Sequence, residues 1–253
     1  MSKTISILGG GESGVGAAVL AMQKDYNVFL SDSNLIKSNY KKILNDHNID
    51  FEEGIHSIDK ILESDLIVKS PGIPNKSNLI NEILFNEIDL ISEIEFAFRH
   101  TNGKIIAVTG TNGKTTTSLL IHKILKDAGF DVLLAGNVGN SFSYEISKKD
   151  YELIVLEVSS FQLDNIISFC PHISILLNIT PDHLDRYNEN FDEYLHSKLK
   201  ITLSQKQSDF LIYNHDDPCF KKINTNAKKI PLSLNKEILS DGGYYKNNQI
   251  NIN

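Results

Sequence analysis

The segment AVTGTNGKTTT at Ala107–Thr117 has residue types and spacing suited to holding a triphosphate. Gly110 and Gly113 leave the backbone free to curl, so that the amides of Thr111 and Asn112 can face phosphate oxygens. Lys114 can reach the outer phosphates, and the hydroxyls of Thr115 and Thr116 lie where one can bind Mg²⁺. The common GxxxxGK[ST] form would place glycine at position 108, where this chain has Val108, so the loop is the shorter GxxGK[ST] type. A nucleoside triphosphate is the ligand this pattern predicts.

A second glycine loop opens the chain. Gly9, Gly11 and Gly14 form GxGxxG between strand-like Thr4–Leu8 and helix-like Val15–Gln23. Asp32 closes the next strand pattern, Asn27–Ser31, at the spacing of a carboxylate that accepts from a ribose hydroxyl. Alone, this loop fits a dinucleotide, with NAD the usual ligand, or serves only close helix–strand packing. SPGIP at Ser70–Pro74 is a further turn, after Leu66–Lys69.

Downstream, LIVLEVSSFQL puts Glu157 just past an apolar strand, and LLNITPDHLDRY puts Asn178, Asp182, His183 and Asp185 past another. Ligands of open α/β sheets sit outside the carboxyl ends of the strands. If these strands are parallel neighbours, Gly110, Glu157 and Asn178 share that edge, where a carboxylate and an imidazole could hold Mg²⁺. Taken singly, Glu157 also reads as a helix-capping or surface carboxylate, and His183 as a hydrogen-bonded loop histidine. AGNVGNS at Ala135–Ser141 is another strand-end turn, in which Asn137 donates to phosphate or merely shapes the turn. Lys198, near Lys200 and Lys206, reads on residue type alone as a solvated helix lysine.

These groups need a scaffold of alternating strands and helices. The second half begins near Gly103 with a strand at Ile105–Val108, followed by a helix at Thr115–Ala128. Leu120, Ile121, Ile124, Leu125 and Ala128 would form its apolar face, with Gly129 as the C-terminal stop. Strands at Asp131–Leu134, Leu153–Leu156 and Ile173–Leu177 complete an α/β pattern with a mainly parallel sheet. A boundary near Ser92 divides a Rossmann-like domain, 1–92, from a P-loop ATPase-type α/β domain, 93–253. The tail Asp241–Asn253 reads as a turn with short strands and as a domain left incomplete.

Composition is that of an ordinary globular chain, 41% hydrophobic and 23% charged over 253 residues. A formal charge of −7 spread along the chain argues against a nucleic-acid surface. Cys170 and Cys219 form no CxxC pair, so zinc and dithiol chemistry are not expected, and two thiols fit a reducing compartment. No signal-peptide or membrane-spanning run is present, which makes cytoplasmic the default reading and membrane insertion unexpected.

GTNGKTT, GNVG, LEVSSFQL, NITPDHLDRY and a lysine eleven positions after Tyr187 together resemble the Mur ligases of peptidoglycan synthesis. SSFQL, SPGIP and DHLDRY resemble the branch that adds D-glutamate to UDP-N-acetylmuramoyl-L-alanine. Folylpolyglutamate synthases share the ATP loop but should lack the GGGESG domain. The resemblance implies an ATP-dependent amide ligase working through an acyl phosphate, with two Mg²⁺ ions. It implies a Rossmann-like domain that binds UDP rather than NAD, through Ser13, Gly14, Asp32, Ser33 and Gly72. Asn137 and His183 match positions near the sugar-nucleotide phosphates. Lys114, Thr115 and Thr116 match the ATP loop; Thr115, Glu157 and His183 match metal ligands. Lys198 matches a lysine carried as a carbamate, so Lys114, His183 and Lys198 are the catalytic candidates. The family continues with an LxGxHN segment and a third, amino-acid-binding domain, so these 253 residues alone are not expected to complete ligation. A monomer is expected.

Three other functions remain open at this point. A nicotinamide-dependent oxidoreductase would leave GTNGKTT unexplained. A non-catalytic module that binds UDP-sugar or ATP, and a Mur ligase with a different precursor and amino acid, are the others.

Overall fold

The computed structural model describes residues 2–221 and 223–253, which form two compact units. Unit 1 is Met1–Asn102 with Gly139–Tyr151 and Asp164–Ile167; unit 2 is Gly103–Val138, Glu152–Leu163 and Ser168–Asn253.

The elements run β1 (Thr4–Leu8), α1 (Glu12–Gln23), β2 (Asn27–Asp32), α2 (Ser38–Asp46), β3 (Asp50–Glu53), α3 (Ile58–Leu62) and β4 (Leu66–Lys69). Next come α4 (Asn78–Phe85), β5 (Leu90–Ser92), α5 (Glu93–Phe98), β6 (Lys104–Thr109), α6 (Lys114–Asp127), β7 (Val132–Gly136) and α7 (Phe142–Lys148). The chain continues through β8 (Leu153–Glu157), α8 (Ser160–Leu163), β9 (Ile173–Leu176), α9 (Phe191–Leu199), β10 (Phe210–Asn214), β11 (Lys228–Ser233), β12 (Gly243–Lys246) and β13 (Gln249–Ile252).

Unit 1 is built on a five-stranded parallel sheet of order β3-β2-β1-β4-β5. The chain leaves β1 toward β2 on one side and returns to β4 on the other. The β1/β4 junction is therefore the switch point of an open sheet, where ligands bind. Leu8, Phe29, Ile67, Ile80 and Ile83 form the core beneath it. Helix α1, rich in Gly and Ala, is buried from Gly14 to Ala21, and its Gly16 lies so close to α7 that a Cβ would come within 2.2 Å of the Ser141 hydroxyl.

Unit 2 holds an eight-stranded sheet, β13-β12-β11-β10-β9-β6-β8-β7. All its pairs are parallel except the β12–β13 hairpin, whose turn residues Asn247 and Asn248 both have left-handed φ, as a type I′ turn requires. The tail predicted as short strands is this hairpin. The junction of β6 with β9 is a second switch point.

The apolar face expected on α6 is corrected in part: Ile121 and Leu125 are half-buried, whereas Leu120, Ile124 and Ala128 are exposed. Leu120 and Ile124 are 56% and 57% exposed, and the buried residue of the helix is Ser118. The covered side of the helix is Ser118 together with Ile121 and Leu125, and Leu120 and Ile124 lie outside it.

Candidate active site

Parallel pairing aligns Val108 with Glu157, Gly136 with Glu157, and Thr109 with Leu176. Gly110, Asn137, Glu157 and Asn178 therefore lie at or just past the carboxyl ends of four adjacent strands, as the sequence required. Gly110 is needed there: a Cβ would meet Leu177 at 3.0 Å and the Asn178 backbone at 3.2 Å.

The glycine loop is stitched to the segment after β9. Thr111 N–H donates to the Asn178 carbonyl at 2.8 Å, and Asn112 N–H to Asn178 Oδ1 at 2.9 Å. The Asn178 amide returns a bond to the Asn112 carbonyl at 2.9 Å. Thr111 Oγ1 accepts from Thr180 N–H at 3.0 Å and lies 3.1 Å from the Tyr194 hydroxyl. Asn178 thus takes up the Thr111 and Asn112 amides. The amides of Lys114, Thr115 and Thr116 in the first turn of α6, which have no intrahelical carbonyl to meet, remain to face a phosphate. Gly113 caps this helix with φ +84°, the left-handed region. Lys114 Nζ donates to the Thr111 carbonyl at 2.8 Å, folded over the loop it would serve.

Lys198 is not solvated. It is 2% exposed, donates from Nζ to the Gly110 carbonyl at 3.0 Å, and lies 4.8 Å from the centre of the Tyr194 ring. Burial, and secondarily the Lys114 cation, lower its pKa from 10.5 to about 7, against a partial offset from Asp182. The lowered pKa brings the uncharged amine within reach near neutral pH.

Glu157 is 1% exposed. Its Oε1 accepts from the Asn137 amide at 2.7 Å, while Oε2 is buried with no hydrogen-bond partner among the described residues. A buried carboxylate oxygen without a partner is costly unless a cation completes it. Such an oxygen fits Mg²⁺, which takes few protein ligands and completes its shell with phosphates and water. Among the described residues, no group of three His, Cys, Asp or Glu is placed to hold a metal.

His183 sits on the loop before the 3₁₀ turn Leu184–Tyr187, with φ +50° and its side chain 58% exposed. Its Nε2 lies 3.5 Å from Asp182, and its ring centre 5.3 Å from Phe161. Phe161 stacks in turn on Tyr187 and carries the Arg186 guanidinium 4.5 Å from its ring centre. Sequence reasoning missed Phe161 and Arg186, although both lie inside motifs it had quoted. Cys170 and Cys219 are free thiols whose pKa values burial pushes up to about 11, so they are poor nucleophiles.

In the first unit, a cleft of about 600 Å³ opens at the β1/β4 switch point. Ser13, Asp32, Ser33 and Gly72 line it. Gly14 does not; a Cβ there would stand 1.8 Å from the Gly9 carbonyl oxygen, so its hydrogen lets α1 start against the loop. Asp32 Oδ2 accepts from Gly10 N–H at 2.6 Å and Oδ1 from Asn34 N–H at 2.8 Å, so the carboxylate shapes the loop. Ser70, also in the lining, has a buried hydroxyl with no partner among the described residues. His56 and Asn34 line the cleft too, and no sequence signal marked them.

Comparison with known proteins agrees with both halves. Residues 4–79 match the MurD N-terminal domain and residues 108–250 the Mur ligase middle domain. The chain is 47% identical over 239 residues to a UDP-N-acetylmuramoylalanine--D-glutamate ligase of Bacteroides fragilis, covering 93% of this chain and 54% of that protein. It is 43% identical to the same-named protein of Christiangramia forsetii, covering 99% of this chain and 57% of that one. The chain thus spans a little over half the length of these relatives. Among solved structures, a UDP-N-acetylmuramate:L-alanyl-gamma-D-glutamyl-meso-diaminopimelate ligase of Neisseria meningitides superposes with TM-score 0.63 at 18% identity, covering 96% of this chain and 83% of that one. UDP-N-acetylmuramate-alanine ligase of Thermotoga maritima gives 0.56 at 20%, covering 92% and 53%. These two likenesses concern the fold. With its middle-domain match spanning more than half of its length, the chain belongs to the Mur ligase family.

Proposed function

We propose that this chain is the UDP-precursor and ATP-binding part of an ATP-dependent ligase that adds D-glutamate to UDP-N-acetylmuramoyl-L-alanine in peptidoglycan precursor synthesis. The observation that carries the reading is the buried Oε2 of Glu157, without a hydrogen-bond partner among the described residues, on the strand-end edge that also bears the GTNGKTT loop. The D-glutamate specificity comes from the names of the relatives.

In the first step an oxygen of the precursor's alanine carboxylate attacks the γ-phosphorus of ATP. The bond to ADP breaks, giving an acyl phosphate and ADP. The D-glutamate amine then attacks the acyl carbon, phosphate leaves with the C–O electron pair, and the amine sheds a proton. The α6 amides and Lys114 would hold the triphosphate and its developing charge. Ser13, Asp32, Ser33 and Gly72 would hold the uridine diphosphate end, and Asn137 and His183 the sugar-nucleotide phosphates. Thr115, Glu157, His183 and a carbamate on Lys198 would hold two Mg²⁺ ions, which when bound screen the negative charge of carboxylate and triphosphate. The uncharged Lys198 amine can attack CO₂: an N–C bond forms, one C=O π bond opens onto oxygen and the nitrogen sheds a proton, giving an anion whose burial a cation held beside it would offset. We assign the working protein to the cytoplasm, as a monomer without membrane insertion; among the described residues no helix is long and apolar enough to cross a membrane.

Calorimetric titration with UDP-N-acetylmuramoyl-L-alanine, with UDP-N-acetylmuramate and NAD as controls, tests the assignment. Selective binding of the alanyl precursor is expected. Binding of NAD instead returns the chain to the dehydrogenases, and no binding by folded protein overturns the ligand assignment.

A further inference from the structure

Behind the cleft of the first unit lies a chain of hydrogen bonds whose protons can be counted. The Ser31 hydroxyl, fully buried, stands 2.7 Å from Glu52 Oε1 and 2.6 Å from His56 Nδ1, with the Ile55 carbonyl more distant at 3.4 Å. Glu52 also accepts from Ser57 N–H at 2.7 Å and from the Ser57 hydroxyl at 2.5 Å. These bonds hold its carboxyl below the ordinary range despite partial burial, so it is ionised and only accepts. Ser31 has one proton, and two short contacts need one each. The carboxylate cannot supply it, so Ser31 donates to Glu52 and His56 must donate from Nδ1 to Ser31.

That settles the tautomer. Burial lowers the pKa of His56, so the neutral ring prevails, and with its proton on Nδ1 the other nitrogen carries a lone pair. His56 Nε2 makes no hydrogen bond among the described residues, and His56 lines the cleft beside Asp32, Ser33 and Asn34. Asp32, the carboxylate the glycine motif would assign to the ribose, already serves Gly10 and Asn34.

We propose that His56 is a specificity-determining residue of this cleft, whose Nε2 accepts a hydrogen bond from a donor on the nucleoside end of the ligand, either a ribose hydroxyl or the uracil N3–H. The proposal rests on the reading of the cleft as a uridine-nucleotide site. A base or sugar that offers an acceptor at that place would meet lone pair against lone pair and be rejected.

The test uses UDP as the probe, with 2′-deoxy-UDP, 3′-deoxy-UDP and N3-methyl-UDP, titrated into the wild-type chain and two variants. His56→Asn keeps an amide that can donate to Ser31 but has no atom at Nε2. His56→Gln reaches the Nε2 position with a group that can accept. Near-UV circular dichroism checks that each variant is folded. His56→Asn is expected to bind UDP about tenfold more weakly and His56→Gln to recover part of the loss. One analogue is expected to bind wild type about tenfold more weakly than UDP, and to lose that handicap in His56→Asn; its identity tells ribose from base. Equal UDP affinity of wild type and His56→Asn, or analogue penalties the same in both, overturns the proposal. Absence of UDP binding to folded wild type overturns instead the reading of the cleft on which it rests.

Discussion

Asn137 clamps Glu157 at two points: its side-chain amide donates to Oε1 at 2.7 Å, and its backbone N–H donates to the Glu157 carbonyl at 2.8 Å. The first bond fixes which carboxylate oxygen is left bare, and so aims Oε2. Partners that orient a metal ligand typically contribute tenfold or more to metal affinity. Asn137→Ala should therefore weaken Mn²⁺ binding, measured by electron paramagnetic resonance in the presence of a non-hydrolysable ATP analogue, by about tenfold. An unchanged Mn²⁺ isotherm would show that Asn137 does not position this carboxylate.

Lys198 makes stability depend on pH. Its folded-state pKa, about 7, lies below its ordinary 10.5, so between these values the unfolded chain binds more protons than the folded one. Folding stability is then gained as pH rises across that window and lost as it falls. In CO₂-free buffer, wild type should gain stability relative to Lys198→Met from pH 7 to pH 10 in urea denaturation. Parallel curves for the two proteins would contradict the depressed pKa.

Glu93 acts in the opposite sense. It is fully buried, accepting from the Ser141 hydroxyl at 2.9 Å and Ser143 N–H at 2.6 Å, and burial raises its pKa. Its contribution is complete below the ordinary carboxylate pKa of about 4.3 and is lost as pH rises through the folded value. Glu93→Gln keeps an acceptor for both donors. Its stability relative to wild type should improve between pH 5 and pH 8, and a difference that does not vary with pH would refute this.

Gly14→Ala should cost at least about 3 kcal/mol in unit 1, beyond ordinary overpacking, because the Cβ would stand 1.8 Å from a backbone oxygen that cannot turn away. Denaturant unfolding measures it; a loss under about 1 kcal/mol would mean that the loop yields more easily than its geometry implies.

The strand-end edges were legible because glycine turns after apolar runs leave a local signature; Gly110, Glu157 and Asn178 fall together as that signature required. The environment of Lys198 was not. Its burial comes from the Gly110 carbonyl, far away in sequence, and from the Tyr194 ring one turn earlier on α9, and residue type alone does not say that this side of the helix is covered. The face of α6 misled in part because 3.6-residue periodicity marks an apolar stripe without saying how much of it is covered; here the covered side is Ser118 with the half-buried Ile121 and Leu125, while Leu120 and Ile124 are exposed. His56 was invisible for a third reason. Its role depends on a proton count through Ser31 and Glu52, across β2 and the turn after β3.

The stitching of Thr111 and Asn112 to Asn178 and Thr180 also bears on speed. A phosphate loop ordered by its own neighbours has surrendered its conformational entropy during folding. On the proposed reading, an arriving nucleotide would meet a loop already formed, and only Lys114 would have to exchange the Thr111 carbonyl for phosphate, so capture would be governed by encounter rather than by waiting for the loop to take shape.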